Sequence, residues 1–452
     1  MRHFNRLLAV FLCTLALSFP VTTKAQAPAQ TPRNADQPTQ EAWERTVNEI
    51  FVRIALFYHR ELPIAFLQDL RTSCIVVAVE YPNMPCLKKL DPHTYYVSPQ
   101  NAAIMDERRS GEFVGVGIEL KSDNKDVLPK GFLIVKPIPG SPAERAGVQA
   151  KDIIVEVDGR STTTASFEDV VSSIRGTIGT KVRLTIWRKG APELLSIEIT
   201  RAKVVAQHVT HELKEGGVGY IKVTSFSEIA GTKTRQAILA LIEKNRGPLK
   251  GLVLDLRDNS GGLLHVADEI LDLFLVWSSY PDNDARVTVS EEIRGEISKH
   301  LSAGGQQDVI GGVPLLVLVN GNSASASELV PGVLQTHGRA TVAGVEKTFG
   351  KGTVQTVMQL PTGGELALTT SQYLVGPTSC ERPVQEIGIT PDIFLKRGPD
   401  DEEPRRREES LPGSLDPSTI SNANCRYPFT VPAEHKEAAK YMLRVLGLEI
   451  KE

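Results

Sequence analysis

Two stretches of the sequence decide the fold: Val313-Pro-Leu-Leu-Val-Leu-Val-Asn-Gly-Asn-Ser-Ala-Ser-Ala-Ser-Glu328 and Thr348-Phe-Gly-Lys-Gly-Thr-Val-Gln355. The first begins with an uncharged apolar run, which predicts a buried strand. Asn320-Gly-Asn322 interrupts the run, and the small residues that follow can open a helix. Ser325 is therefore predicted at a corner between a strand and a helix, where free backbone N–H groups face the same small volume.

The second stretch supplies a base for this serine. A serine hydroxyl needs a group that removes its proton before it can attack a carbonyl carbon. Lys351, which lies between two glycines, can do this only when its amine is neutral. Burial beside apolar residues such as Phe349 and Val354 would lower its pKa from about 10 towards neutrality. Because Ser and Lys form a recognised variant of the catalytic triad, we predict Ser325 as nucleophile and Lys351 as base.

These motifs carry a resemblance to a known family. The pattern Ser-Ala-Ser-Ala-Ser-Glu, followed by Phe-Gly-Lys-Gly-x-Val-Gln, resembles the carboxyl-terminal processing (tail-specific) serine peptidases, and the resemblance extends over most of residues 40–395. It implies that Ser325 is the nucleophile, that Lys351 is the base and that Gln355 orients the lysine. It also implies hydrolysis of a peptide bond through an acyl-enzyme.

A second predicted strand places further groups near the serine. The run Gly251-Leu-Val-Leu-Asp-Leu-Arg-Asp258 is apolar and ends in the turn Asn259-Ser-Gly-Gly262. Strand, helix, strand, glycine turn and helix predict a layered α/β core with its chemistry at the carboxyl ends of the strands. Backbone N–H groups of Gly261 or Gly262 and of Ala326 would then converge on one oxyanion. The family resembled has its oxyanion hole at these positions and a ClpP/crotonase-like core.

Residues 112–202 have the pattern of a separate β-rich domain. Short strands are bounded by turn residues, and Ser166 begins a helix with a capping motif. The order of these elements resembles a PDZ domain. Such a domain binds an extended chain end by strand addition, and backbone N–H groups of a glycine-containing loop hold the terminal carboxylate. The loop implied here consists of Val114, Gly115, Val116, Gly117 and Ile118.

Residues 1–27 are predicted to be a secretory signal peptide. Arg2 and Arg6 precede the apolar run Leu7–Phe19, which is shorter than the roughly 20 residues that a membrane span needs. Small residues follow at Ala25 and Ala27. The sequence therefore predicts export, into the periplasm in a bacterial host.

Export would place the cysteines in an oxidising compartment, where disulfides form. Outside the predicted signal the chain has Cys74, Cys86, Cys380 and Cys425, an even number for an oxidising compartment. Four cysteines allow three connectivities, and we favour Cys74–Cys86 and Cys380–Cys425 because these pairings are the most local in the sequence. A zinc site is less favoured because no two of the four have the spacing of ligand pairs. Isolated buried thiols are the third alternative.

Length and composition are consistent with a multidomain soluble protein. The chain has 452 residues, 41% of them hydrophobic and 23% charged, with a net charge of −3. Five segments are predicted: the signal at 1–27, a flexible leader and helical region at 28–111, the PDZ domain at 112–202, the peptidase core at 203–397, and a charged tail with a terminal helix at 398–452. Residues 276–312, which are polar, are interpreted as a surface insertion, and the terminal helix would dock on the core or on a second subunit.

The favoured function is an exported serine endopeptidase that acts on proteins with apolar carboxyl termini. No cofactor, metal or nucleic-acid partner is expected, and a homo-oligomer or a regulatory partner is compatible with the sequence. One alternative is a Ser/His esterase that pairs Ser325 with His337 or His265, although no Gly-x-Ser-x-Gly elbow is present. The other is a catalytically inactive PDZ adaptor, for which Pro331 inside the helix after Ser325 is the only support.

Overall fold

The computed structural model describes residues 40–78, 84–121, 130–280, 286–294, 296–301, 307–377, 381–398, 406–418 and 430–451, and the single residues 283 and 305. The chain divides into two compact units, residues 1–43 and 44–452. The elements below belong to the second unit, except for the first turn of helix α1. The predicted signal peptide and nearly all of the predicted leader lie outside the described residues.

The predicted helical region contains two helices, α1 (Gln40–Phe57) and α2 (Ile64–Ala78), followed by a 3₁₀ turn at Pro85–Lys89. A disulfide joins Cys74 of α2 to Cys86 of the turn, with their Cα atoms 5.3 Å apart. The second pairing that we favoured, Cys380–Cys425, lies outside the described residues. No helix in the described ranges is long and apolar enough to cross a membrane.

A largely parallel sheet forms the centre of the core. Its strands, in spatial order, are β10 (Val209–Lys214), β11 (Val218–Val223), β12 (Gly251–Asp255), β15 (Leu315–Val319), β16 (Ala340–Gly344) and β20 (Ile393–Phe394). Only the β10–β11 pair is antiparallel. Every residue of β12, β15 and β16 is buried, because both faces of the sheet are covered, and this explains their nearly continuous apolar runs.

An antiparallel sheet lies beyond the helices of the core. It consists of β1 (Tyr95–Val97), β18 (Glu365–Val375), β13 (Val287–Ile293) and β14 (Glu296–Leu301), with β17 (Thr353–Gln359) and β19 (Arg382–Pro383) also paired to β18. Helices α6 (Ala230–Asn245), α7 (Leu264–Leu271) and α8 (Ala326–Thr336) contribute to one buried apolar cluster with residues of both sheets. The core is therefore a layered α/β structure, as predicted.

The terminal helix α9 (Ala433–Val445) docks on the opposite face of the parallel sheet. Its buried side chains Ala439, Met442 and Leu443 pack against Val253 and Leu316. Of the two placements that the sequence left open, the structure therefore has the one on the core.

The interpretation of residues 276–312 as a surface insertion is wrong for part of that segment. Strand β13 pairs with β18, where Val289 lies opposite Val375. The polar side chain of Ser290 in this strand is fully buried. Its hydroxyl donates to the carboxylate of Glu381, which is also buried, at 2.6 Å. Ser290 is accepted inside this sheet because the partner of its hydroxyl is buried with it, whereas the buried hydroxyl of Thr288 has no hydrogen-bond partner among the described residues.

Residues 118–200 form the β-rich domain. Its antiparallel sheet has the order β3 (Ile118–Leu120), β4 (Phe132–Pro137), β5 (Ile153–Val157), β7 (Lys181–Trp187) and β8 (Leu195–Thr200), with β6 (Arg160–Ser161) paired to β5. Helices α4 (Pro142–Arg145) and α5 (Phe167–Ile174) complete it, and α5 begins with the predicted capping box of Ser166 and Asp169. Helix α3 (Pro99–Ser110) and the two-stranded ribbon of β2 (Glu112–Gly115) and β9 (Ala202–Val205) join this domain to the core.

The charged tail predicted from residue 398 is not uniformly exposed. Residues 406–418, here called the C-terminal strap, lie on the core, and Glu408 within the strap is fully buried. The strap stays on the core because its polar groups bind partners there: the backbone N–H of Glu408 donates to the carbonyl of Phe349, and Gln372 donates to the carbonyl of Asp416.

Candidate active site

Ser325 lies at the predicted corner between β15 and α8. It is half-buried and occupies the residue before the first turn of the helix, with φ 57° and ψ −120°. This conformation is unfavourable for a residue with a side chain, so the surroundings must hold it. The loop after β12 does so: Asp258 exchanges two hydrogen bonds with the Asn320 side chain, at 3.1 and 3.0 Å, and Ala324 N–H donates to the carbonyl of Asn259 at 3.1 Å.

The amino group of Lys351 has two defined acceptors. Its Nζ donates to Gln355 Oε1 at 2.6 Å and to the carbonyl oxygen of Thr353 at 3.0 Å. Burial lowers the pKa of Lys351 to about 8, although three carboxylates act in the opposite direction: those of Glu408, Glu328 and Asp91. A substantial fraction of this lysine is therefore neutral near pH 8, which a base requires.

The carboxylate of Glu328 connects the serine corner to the lysine loop. It is fully buried and accepts backbone N–H groups of Ser325 at 2.9 Å, Gly350 at 2.7 Å and Lys351 at 2.8 Å. The hydroxyl of Thr348 donates a fourth hydrogen bond at 2.5 Å. Burial raises the pKa of Glu328 to about 7, and these hydrogen bonds oppose the rise.

Tyr373 forms a second connection between the same two residues. Its hydroxyl lies 3.0 Å from the carbonyl oxygen of Ser325 and 2.7 Å from that of Lys351, and its one proton can be shared between these two acceptors. The roles of Glu328 and Tyr373 were not predicted from the sequence. A signal was available only for Glu328, because it ends the quoted Ser-Ala-Ser-Ala-Ser-Glu motif.

Gln355 links Lys351 to a buried network. Its amide nitrogen donates to Thr369 Oγ1 at 3.1 Å, and Thr369 in turn donates to Asp91 Oδ1 at 3.0 Å. Asp91 also accepts the hydroxyl of Tyr58 at 3.2 Å. These contacts orient the Gln355 amide so that its oxygen faces the lysine.

The structure distinguishes between the two glycines proposed for the oxyanion hole. Gly261 N–H donates to Asn259 Oδ1 at 2.9 Å, so it is not free. For the N–H groups of Gly262 and Ala326, no acceptor is found within the described part of the chain. Gly261 itself lies against the corner, because a Cβ placed on it would be 2.9 Å from Ser325 Cβ and 3.2 Å from Ala326 N. The N–H group of Gly261 thus has an internal acceptor, whereas those of Gly262 and Ala326 have none among the described residues.

The residues on which the two alternative functions depended, His337, His265 and Pro331, are not placed as those functions require. His337 is at the opposite end of α8 from Ser325, a rise of about 18 Å, and its Nδ1 is 2.9 Å from the carbonyl oxygen of Val333. His265 is exposed and pairs with Glu228 at 2.9 Å. Helix α8 continues through Pro331 to Thr336, so the proline does not end the helix that Ser325 begins.

Charged side chains at the carboxyl end of β12 neutralise each other. Asp255 is fully buried and accepts the Tyr220 hydroxyl at 2.6 Å and a guanidinium N–H of Arg257 at 2.6 Å. Within the described ranges no group of three or more His, Cys, Asp or Glu side chains is arranged to bind a metal ion.

The five residues of the predicted peptide-binding loop lie at the start of the β-rich domain. Gly115 ends β2, Val116 is buried, Gly117 has φ 80°, and Ile118 begins the edge strand β3. Gly117 cannot carry a side chain, because a Cβ there would lie 2.3 Å from Ser141 Cβ. The backbone N–H groups of Val116 and Gly117 have no acceptor among the residues that the structure describes.

Comparisons with known proteins agree with this arrangement. The model of Peptidase family S41 matches residues 217–395, and that of the PDZ domain matches residues 133–188. The carboxy-terminal-processing protease of Bartonella bacilliformis is 37% identical over 312 residues, which cover 69% of this chain and 68% of that protein. The carboxyl-terminal-processing protease of Picosynechococcus sp. is 36% identical over 313 residues, covering 68% and 70%.

Among solved structures, the photosystem II D1 C-terminal processing protease is similar over 78% of this chain and 92% of its own, with 28% identity and a TM-score of 0.44. The extent and level of identity to the two relatives above establish the family. This chain belongs to peptidase family S41 and is a serine-type peptidase of the carboxy-terminal-processing group that carries a PDZ domain.

Proposed function

We propose that Ser325 and Lys351 form the catalytic dyad of an exported endopeptidase that cleaves proteins after binding their carboxyl-terminal tails. The observation that carries the proposal is the double connection at the site. Glu328 binds the backbone N–H groups of Ser325 and Lys351, and Tyr373 contacts both of their carbonyl groups. Two buried side chains thus hold the backbone at Ser325 and the backbone at Lys351 in a fixed relation, which supports a pairing of the two residues in catalysis.

The contacts of Lys351 suit a base. A neutral amine has two N–H donors and one lone pair. Gln355 Oε1 and the carbonyl of Thr353 accept two N–H groups, which leaves the lone pair to receive a proton. Gln355 therefore serves as the positioning residue for the amine.

In the proposed reaction the neutral Lys351 removes the proton of the Ser325 hydroxyl as its oxygen attacks the scissile carbonyl. The N–H groups of Gly262 and Ala326 stabilise the oxyanion. The Lys351 ammonium then protonates the departing amine, and an acyl-enzyme remains. A water molecule, deprotonated by the same lysine, attacks the ester and releases the new carboxylic acid and the serine.

The PDZ domain supports recognition of chain ends. Among the described residues, strand β3 is at the edge of its sheet and can accept a further strand, and the N–H groups of Val116 and Gly117 have no acceptor, so they can bind a carboxylate. The side chains of Ile118, Leu120 and Phe167 are partly exposed around this edge. Apolar surface next to a carboxylate-binding loop favours tails with apolar final residues.

The first prediction concerns the dyad. Wild-type protein should cleave an unfolded test protein with an apolar tail, and Ser325→Ala and Lys351→Ala should each lower the rate by about 1,000-fold or more. Mass spectrometry of the products measures this. Ser327→Ala is the matched control, because the buried Ser327 hydroxyl has no hydrogen-bond partner among the described residues. An active Lys351→Ala would overturn the lysine assignment, and an inactive wild type would favour the adaptor.

The second prediction concerns pH. Because the pKa of Lys351 is lowered to about 8 and only the neutral amine acts as base, kcat/KM should rise with pH up to about 8 and level off above it. Protonation at lower pH removes the base, so activity falls as the solution is acidified. A short uncharged peptide substrate isolates the enzyme's own titration. A flat profile between pH 6 and 9 would exclude this lysine as the base.

The third prediction concerns the PDZ loop. Gly117→Ala should force its methyl group against Ser141 and so displace the loop whose N–H groups would bind the carboxylate. Cleavage of the tailed protein should then fall roughly 10-fold or more, to the rate seen with an amidated tail, since charge-assisted hydrogen bonds are lost. Hydrolysis of a short peptide should not change. Gly159→Ala, at a positive φ but with open space around its Cβ, is the control. Equal loss in both variants would contradict the loop assignment.

The fourth prediction concerns export, which the apolar N-terminal run and the Cys74–Cys86 disulfide support. Protein recovered from the periplasm of a bacterial host should begin close to residue 28. Cys74 and Cys86 should react with a thiol reagent only after reduction, and peptide mass spectrometry detects both features. Full-length protein in the cytoplasm, with both thiols free, would contradict export.

A further inference from the structure

The C-terminal strap reaches the loop that carries Lys351. The strap (residues 406–418) lies beyond residues 217–395, which match the peptidase family. Glu408 N–H donates to the carbonyl oxygen of Phe349 at 3.1 Å, two residues before Lys351. The fully buried carboxylate of Glu408 lies 2.9 and 2.8 Å from Nε2 of His93, which is part of the Leu90–His93 turn.

Gln385 connects the strap to Gly352, the residue after Lys351, by a second set of hydrogen bonds. Gln385 Nε2 donates to Glu408 Oε1 at 3.0 Å and to the carbonyl of Leu415 at 3.1 Å. The amide oxygen of Gln385 accepts the N–H of Gly352 at 2.9 Å. The Phe349–Gly352 loop is therefore held at both ends. Phe349 binds Glu408 directly, and Gly352 is connected to Glu408 through Gln385.

We propose that Glu408 is a positioning residue for Lys351, holding the Phe349–Gly352 loop through its own backbone and through Gln385, with His93 as the hydrogen-bond partner of its carboxylate. The inference rests on the proposed role of Lys351 as base. A buried carboxylate is costly unless it is paired, so the strap is stable in this place only with these partners present. The strap thereby completes the active site from outside the family match.

The charge of Glu408 also acts on the lysine. The ionisable groups that influence Lys351 come from separate elements: Glu328 from α8, Asp91 from the turn before β1 and Glu408 from the strap, while Tyr373 of β18 contacts its carbonyl. The three carboxylates favour the charged form of Lys351 and raise its pKa against the effect of burial. Removing the charge of Glu408 should therefore lower the pKa of Lys351.

Two variants separate the charge from the positioning. Glu408→Gln keeps the size of the side chain and removes the charge, so the rise of kcat/KM with pH should move to lower pH by about half a unit to one unit. Gln385→Met keeps the volume of the side chain at position 385 and leaves the charge of Glu408 in place, but it removes the hydrogen bond to Gly352. Its kcat should fall roughly 10-fold at every pH with KM and the position of the rise unchanged, because the base is less well placed.

Glu409→Gln is the matched control, since Glu409 is the exposed neighbour of Glu408 and carries the same charge. It should reproduce the wild-type profile. Thermal unfolding of each variant checks that it is folded. A Glu408→Gln profile that overlies that of Glu409→Gln, together with a wild-type kcat for Gln385→Met, overturns the inference. A wild type without the rise near pH 8, together with an active Lys351→Ala, would instead overturn the proposed dyad.

Discussion

The active site depends on one buried carboxylate that binds two loops distant in the sequence. Glu328, on the first turn of α8, accepts N–H groups from its own helix start and from the loop at residues 350 and 351. An unpaired buried charge costs several kcal/mol, so the protein is most stable when every one of these donors is in place. The same contacts therefore stabilise the folded core and fix the serine relative to the lysine.

A consequence of this arrangement is a balance of charges at Lys351. Burial alone would lower its pKa further, but the carboxylates that organise the surrounding loops raise it again, to about 8. These carboxylates thus reduce the fraction of Lys351 that is neutral at neutral pH, and the neutral amine is the form that the proposed base requires. These carboxylates also have structural roles. Glu328 holds the backbone of Ser325 in an unfavourable conformation, and Asp91, through Thr369, orients the Gln355 amide that accepts from the amine.

Local sequence patterns were informative wherever an element's environment follows from its own residues. The apolar runs of β12 and β15 predicted buried strands, and the Ser166 capping box predicted the start of α5. The patterns failed for β13 and for the strap. Thr288, Ser290 and Glu408 are buried polar residues, and the sequence alone does not show whether a partner such as Glu381 will be buried with them.

The sequence by itself determined the chemical groups of this protein: a serine at a strand-to-helix corner, a lysine between two glycines, a glycine turn and a PDZ-like order of strands. Motifs do this because they depend on residues close together in the chain. Only the tertiary structure decided which groups meet. Glu328, Tyr373 and Glu408 act on Lys351 from separate elements, and Gly261 gives its N–H to Asn259 whereas Gly262 does not. Hydrogen bonds and burial depend on distances in space, which spacing along the chain does not specify.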